Sequence, residues 1–471
     1  MFKSGWLRRG ISVAMLLAAG ACGAREGRAA DAVPQGATRV RTIEVREPAG
    51  LERKAWPVFA SLTVSPGDAA DPAGRWVLVQ DAGSGQTKAV PFQVLTALTP
   101  TYVALPEPAG KAASAPRPSL VKTPPPRDDV RLVEIVFLAD LPAEGSARYL
   151  LYRIPSGAAK VEPPAPAVKL AYTGEGLGVT VDAGPAVFRF HPACGQFMSY
   201  VPKLAGSNEE LGFKQYDQRP VHWNPDVYAK PQPWGHTSDW DIGKPDRKFE
   251  FLAARGPVAY RTVRYGAMPT SNGVFASVTY TAVAGMPFLL ESSMMQFTED
   301  TRVNAVRANE LVFNRGLHTH AAWRDEKGQT HTVLCYDPAE PKRFREIVAK
   351  MGPDIPWIGL YNQQKGYGIG NVSLSRLDYS PTALAGPQSD RAYYYVNDYG
   401  EHGTEPPGYD MNFLYICRPQ VYRRTVVPKG TIFAEHSAIL VFSSQQDKDG
   451  RFTNVEPWVK LLQNPVEVEV K

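Results

Sequence analysis

From Thr38 onward the chain is a succession of short runs rich in β-branched and aromatic residues, with almost no helical period. The runs TRVRTIEV, WPVFASLTV, RWVLVQDA, AVPFQVL, DVRLVEIVFLADL and ARYLLYRI come first, separated by turn clusters such as SPGDAADPAG and GSGQ. Such runs bury one face in a pleated sheet, so residues 38–155 are expected to form an antiparallel β-sandwich. The Pro- and Ala-rich insert from Leu105 to Asp128 lacks periodicity and reads as a surface loop. A second Pro-rich stretch, residues 156–166, is the expected linker. Strand-like runs then continue to the end, from AVKLAYT and LGVTVDAG to TIFAEHSAILVFSS, with no segment repeating at a fixed spacing. That much strand exceeds one immunoglobulin-sized sandwich, and two large stacked antiparallel sheets over residues 167–471 are the expected solution. The fold class is therefore all-β with one short helix. Asp337 caps that helix, Pro338 starts it, Phe344, Ile347, Val348 and Met351 form its apolar stripe, and Gly352 ends it.

With 471 residues and 44% hydrophobic content, the chain is long and apolar enough for two domains with real cores. Its formal charge of +5 is small for this length and no Lys/Arg run stands out, which argues against a nucleic-acid partner. Lys3, Arg8 and Arg9 precede an apolar run from Ile11 to Ala21, the pattern of an export signal and too short for a membrane anchor. The run ends Ala19-Gly20-Ala21-Cys22, which resembles a bacterial lipoprotein box. That resemblance implies a signal over residues 1–22, a lipid anchor at Cys22 and a tether over 23–37. Simple cleavage after Ala21 or near Arg28–Ala30 is the alternative. Either route predicts export, to the periplasm, to the outer membrane as a lipoprotein, or to the medium. In an oxidising compartment one pair among Cys194, Cys335 and Cys417 could bridge, and spacing does not choose among the three pairings.

One stretch departs from the strand pattern. Val221–Asp241 (VHWNPDVYAKPQPWGHTSDWD) holds two of the eight histidines and three of the nine tryptophans. Pro225, Pro231 and Pro233 fix φ and remove backbone donors, so it reads as a rigid loop. Long ordered loops in compact domains are often functional. Trp223, Trp234 and Trp240 could stack on a flat polar ligand, with His236 among them; alternatively the loop plugs the end of a sandwich. In RGLHTHAAWRD, strand alternation would place His318 and His320 together on one non-core face. Such a pair suits a sugar-facing strand. It could also hold a divalent metal if a third ligand came from His236 or His402, although no cofactor is required by the reading. The stretch Tyr393–Arg418 crowds Asn397, Asp398, Tyr399, Glu401 and His402 into a Gly-flanked turn, with Tyr409 beyond a Pro-Pro-Gly bend. In TRVNAVRANELVFNRG, Arg315 stands close to the histidine pair, and surface ion pairing with Glu299 or Glu310 is the plain alternative for its arginines. Gly366–Gly370 reads as a bulge or turn.

PVFASLTVSPG, VLVQDAGSGQTKAVPFQV and VEIVFLADLPAEGSARYLLYRI in the first part, with LGVTVDAGPAVFRFHPACGQFMSYVPK and VVPKGTIFAEHSAILVFSS in the second, resemble secreted carbohydrate-active proteins. Those proteins carry a galactose-mutarotase-like β-supersandwich, a fold shared by polysaccharide lyases and several glycoside hydrolases. The resemblance implies a polysaccharide or oligosaccharide partner, acidic if the reaction is elimination. Elimination from a uronic acid needs a cationic or amide group on the carboxylate, a base and an acid. The expected cast is His236 or His402 as base, Tyr399 as acid or base, and His318, His320, Arg315 and Asn397 toward the carboxylate. Trp223, Trp234, Trp240 and Tyr409 would contact sugar. A glycoside hydrolase with a carboxylate pair, a mutarotase-like epimerase and a non-catalytic glycan-binding lipoprotein are the alternatives.

Overall fold

The computed structural model describes residues 33–69, 72–83, 86–95, 131–158, 167–212, 220–229, 234–271, 273–314, 316–335, 355–382, 395–398 and 413–471, the side chains of 72, 73, 395–398 and 413 excepted. The fold is all-β, built of antiparallel sheets. The helix expected around residues 338–351, like Cys22 and the Leu105–Asp128 insert, lies outside the described residues. No helix among the described residues is long and apolar enough to cross a membrane.

Strands Thr38–Arg46, Ser146–Arg153, Trp76–Asp81 and Thr87–Ala89 form one sheet, and Arg53–Val64, Arg131–Leu141 and Phe92–Leu95 form a second. Their alternating residues meet in one core, with Ile43, Val45, Val58, Leu62, Trp76, Ile135, Phe137 and Leu151 buried. The final strand, Glu467–Val470, returns to pair with Thr38–Arg46.

The rest of the fold is organised on a nine-stranded sheet that runs, edge to edge, from Glu250–Arg255 to Thr330–Leu334. At its centre, Phe288–Phe297 pairs with Ile432–Ser443, which pairs with Tyr367–Tyr379. Two five-stranded sheets share the core on one of its sides. One is Leu211–Gly212, Phe197–Val201, Val187–Phe190, Val179–Asp182 and Lys169–Tyr172. The other is Trp234–His236, Asp226–Tyr228, Ala305–Asn314, Phe413–Val421 and Tyr395–Asp398.

A further core joins the nine-stranded sheet to the first sandwich, where Trp56, Leu95 and Val136 meet Phe288, Trp357 and Phe442. Helix Glu456–Gln463 closes this seam with Val459 and Leu462 buried, each worth roughly 1.5–3 kcal/mol. Trp458 of the helix stacks on Trp56 at 6.4 Å. Arg261 pairs with both oxygens of Glu134 across the seam, and Gln93 accepts from the Ala259 amide at 2.8 Å. At the Gly366 turn φ is +83°, and a Cβ on Gly368 would meet Phe442 at 2.3 Å, so these glycines permit the turn and a close side-chain approach.

Candidate functional site

The stretch Val221–Asp241 is a strand-bearing segment rather than a free loop. Asp226–Tyr228 and Trp234–His236 pair with each other, and Asp226–Tyr228 also pairs with Ala305–Asn314. Three-residue strands are shorter than the runs that period-two reading detects. Register then assembles a row: Asp226 stands opposite His236 on one side and opposite Arg307 on the other. Cross-strand neighbours on one face lie within side-chain reach, so a base, an acid and a guanidinium meet.

Arg307 donates from Nε to Asp226 Oδ1 at 3.1 Å and from its terminal nitrogen to Oδ2 at 2.7 Å. Its other terminal nitrogen lies 2.9 Å from Glu310 Oε1. His236 Nδ1 lies 3.0 Å from Asp226 Oδ2, an ion pair when the imidazole is protonated. Asp226 is fully buried, Glu310 and Arg307 nearly so, and the His236 side chain keeps 14% of its surface exposed.

Burial alone would raise Asp226, but Arg307 and then His236 outweigh it and hold the carboxyl below its usual range. Burial would lower His236; Asp226, then Asp239 and Glu310, more than offset this and hold the imidazole above its usual value. Burial pushes Glu310 up to about 7, against the pull of Arg307 and with the help of the Asp226 charge. With Asp226 beside it, the His236 imidazole keeps its proton more readily than a free imidazole does. Nδ1 faces the carboxylate, leaving Nε2 as the atom through which His236 can exchange that proton with a ligand.

Aromatic rings surround the half-open imidazole. Trp223 meets it edge to face at 5.5 Å, and Trp234 lies parallel to it at 5.8 Å. Tyr228 stacks on Trp234 at 4.6 Å, and the Arg307 guanidinium sits 4.0 Å from the Trp234 ring centroid. Asp226, His236 and Glu310 are also metal-ligating residue types, with donor atoms within 4.8 Å of one another. A dication there would lie beside the Arg307 guanidinium, which contacts both carboxylates.

Of the residues singled out in the sequence, the structure gathers His236, Trp223 and Trp234. Trp240 is 1% exposed, donates to the Ala267 carbonyl at 2.8 Å and stacks on Phe249, so it is a core residue and no sugar platform. His318 does not share an open face with His320. It precedes the strand His320–Arg324, is buried, lies 2.9 Å from the Tyr200 hydroxyl and packs on Phe313 and Tyr367. Burial pushes it down to about 3, so it is a neutral packing residue. His320 instead stacks on Tyr361 at 5.0 Å and contacts Thr319. Asn397 lies on Tyr395–Asp398, two strands from Arg307 in the same sheet. Arg315, Tyr399, His402 and Tyr409 lie outside the described residues. Cys194, Cys335 and Cys417 are all buried in the core. Sequence reading missed Asp226 as a partner of His236, and missed Arg307 and the buried role of Glu310.

No protein-family model and no curated protein matches the chain. Among solved structures it is similar to an alpha-mannosidase from Enterococcus faecalis V583, with a TM-score of 0.47 and 8% identity over 93% of this chain and 46% of that one. A glycosyl hydrolase family 38 protein from Enterococcus faecalis gives 0.48 and 8%, over 93% and 48%. The chain thus spans about half the length of these two proteins. A galactose mutarotase-like protein from Lactobacillus casei ATCC 334 gives 0.33 and 10%, over 56% of this chain and 99% of that one. No site residue is carried over from any of them.

Proposed function

We propose that the chain is a carbohydrate-active enzyme that moves protons on a neutral sugar, in the manner of a mutarotase-like epimerase, with His236 as the exchanging group. The row His236–Asp226–Arg307 beneath part-exposed aromatic rings carries the reading. A charged imidazole presented among aromatic faces suits a pyranose, whose C–H faces stack while its ring oxygen accepts a proton. Protonation of the ring oxygen weakens its bond to the anomeric carbon. Transfer of the anomeric hydroxyl proton to solvent water completes opening to the aldehyde, and closure on the other face reverses both transfers.

Two other reactions ask for groups arranged differently. Hydrolysis by paired carboxylates needs them about 5–9.5 Å apart across the sugar, whereas Asp226 and Glu310 lie side by side on one guanidinium. Elimination needs a cation turned to the sugar carboxylate, and Arg307 is engaged by two protein carboxylates instead.

The test is anomer equilibration: freshly dissolved pure anomers of a panel of aldoses, followed by polarimetry or by the anomeric proton signals. The expected result is a rate above the spontaneous one that His236→Ala abolishes. A new ultraviolet-absorbing double bond from uronic-acid polysaccharides would replace this reading with a lyase, and new reducing ends would replace it with a hydrolase. Sugar binding without any reaction would make the chain a capture protein.

A further inference from the structure

We infer that Asn309 is a positioning residue that turns Glu310 into the charged row, held in place by Ser437 and Asn371 of the nine-stranded sheet; the catalytic part of this rests on the reading of His236 above. In an unbroken strand, side chains three residues apart point to opposite faces. Arg307 and Glu310 are three apart and touch at 2.9 Å. The register shows how. Ala308 stands opposite Arg418 and Leu311 opposite Ile416, three steps on one strand against two on the other, so Ala305–Asn314 carries one extra residue. Asn309 sits in that bulge at φ +50°. A side-chain-bearing residue there costs about 1–3 kcal/mol unless its surroundings fix it, and asparagine is among those that tolerate it best.

The surroundings do fix it. The Asn309 carbonyl accepts from Asn371 Nδ2 at 3.1 Å. The Asn309 Oδ1 lies 3.2 Å from Ser437 Oγ, which lies 3.0 Å from Glu291 Oε2. Asn309, Asn371 and Ser437 are fully buried and Glu291 nearly so. One serine hydroxyl has a single hydrogen and cannot donate to both neighbours. The chain closes when Glu291 is a neutral acid that donates to Ser437, leaving Ser437 to donate to Asn309. Burial, aided by Glu435 and opposed by Ser437, Ser293 and Arg264, pushes Glu291 up to about 8, which supplies that form at neutral pH. The brace and the row are thus one buried polar system, with Asn309 as the joint.

The experiment reads His236 directly, by its titration in histidine-labelled protein, assigned with His236→Gln. Its imidazole faces Asp226, Arg307, Glu310 and Asp239, and only Glu310 should move. Asn309→Gly and Asn309→Ala both remove the side chain, but glycine keeps access to positive φ. Asn309→Gly loses the Ser437 bond but keeps positive φ and the Asn371 bond to the 309 carbonyl, so it is expected to titrate closer to wild type than Asn309→Ala. Asn309→Ala is expected to lower the His236 pKa, as the Glu310 charge withdraws, and Glu310→Gln should lower it likewise. Misfolding of the alanine variant alone would also support a φ requirement. Equal shifts in both variants, no shift in folded Asn309→Ala, or misfolding of both would overturn the inference. If the shifts occur as expected yet His236→Ala alters no sugar reaction, the positioning stands and the epimerase reading falls. If equilibration is seen, Asn309→Ala should lower kcat more than it raises KM.

Discussion

Replacing Asp226 by Asn tests the charged row most directly, because it changes one oxygen and one charge. Asp226 is fully buried and receives two hydrogen bonds from Arg307, with His236 3.0 Å away. Removing its charge deprives the buried Arg307 of the carboxylate it holds by two hydrogen bonds. Breaking a buried pair by removing one partner costs about 3–5 kcal/mol. At roughly 1 °C per kcal/mol for a chain of this size, the expected fall in Tm is about 3–5 °C. The same change should bring His236 below its ordinary value, because burial lowers it and Asp226 is the chief group opposing that. Arg307→Gln should be destabilising by a similar amount. The double variant removes both ends of one interaction, so its loss should fall short of the sum by about 2 kcal/mol or more. The assay is urea unfolding of the four proteins at pH 7, with His236 titration alongside. Strict additivity, or a His236 pKa unmoved by Asp226→Asn, would refute the reasoning that register builds one coupled unit.

Three further outcomes follow from the same geometry. Glu291 has its pKa raised to about 8 in the fold against an ordinary 4.5, so the unfolded chain releases its proton first as pH rises. Wild-type stability should therefore fall between those values by about 1.4 kcal/mol per pH unit from this group, and Glu291→Gln should flatten the slope in unfolding measured at pH 5 to 8. Trp240→Ala should cost about 3–5 kcal/mol of stability, whereas Trp234→Ala should weaken sugar binding by about tenfold, read by calorimetry and denaturation. His318→Phe should leave anomer equilibration unchanged, since the ring packs among Tyr200, Phe313 and Tyr367 away from the row; a lost rate would reinstate His318 at the site.

The all-β character was legible because each strand declares itself locally, through β-branched and aromatic runs bounded by turns. Strand pairing does not declare itself. Nothing local to Glu467–Val470 says that it closes on Thr38–Arg46, more than 400 residues away. The same division runs through the site. Proline and aromatic density mark Val221–Asp241, and the structure sets its His236 and Trp234 side by side. Burial separated Trp240 from them, and burial is set by what packs from elsewhere, here Phe249 and the Arg264 guanidinium.

The partners of His236 illustrate the harder limit. Asp226 and Arg307 lie 81 residues apart, and only the register that puts one opposite the other makes them a pair. Glu310 is further hidden, because alternation from Arg307 assigns it to the wrong face. A single positive φ at Asn309 reverses that assignment. An asparagine in a run of strand formers is a weak signal in ANELVFN, since asparagine disfavours strands for several reasons. The signal becomes specific only when a buried serine and a buried asparagine from another sheet are found holding it. A charged cluster made this way depends on one backbone conformation. A mutation that relaxes the bulge should therefore disturb the chemistry before it disturbs the fold.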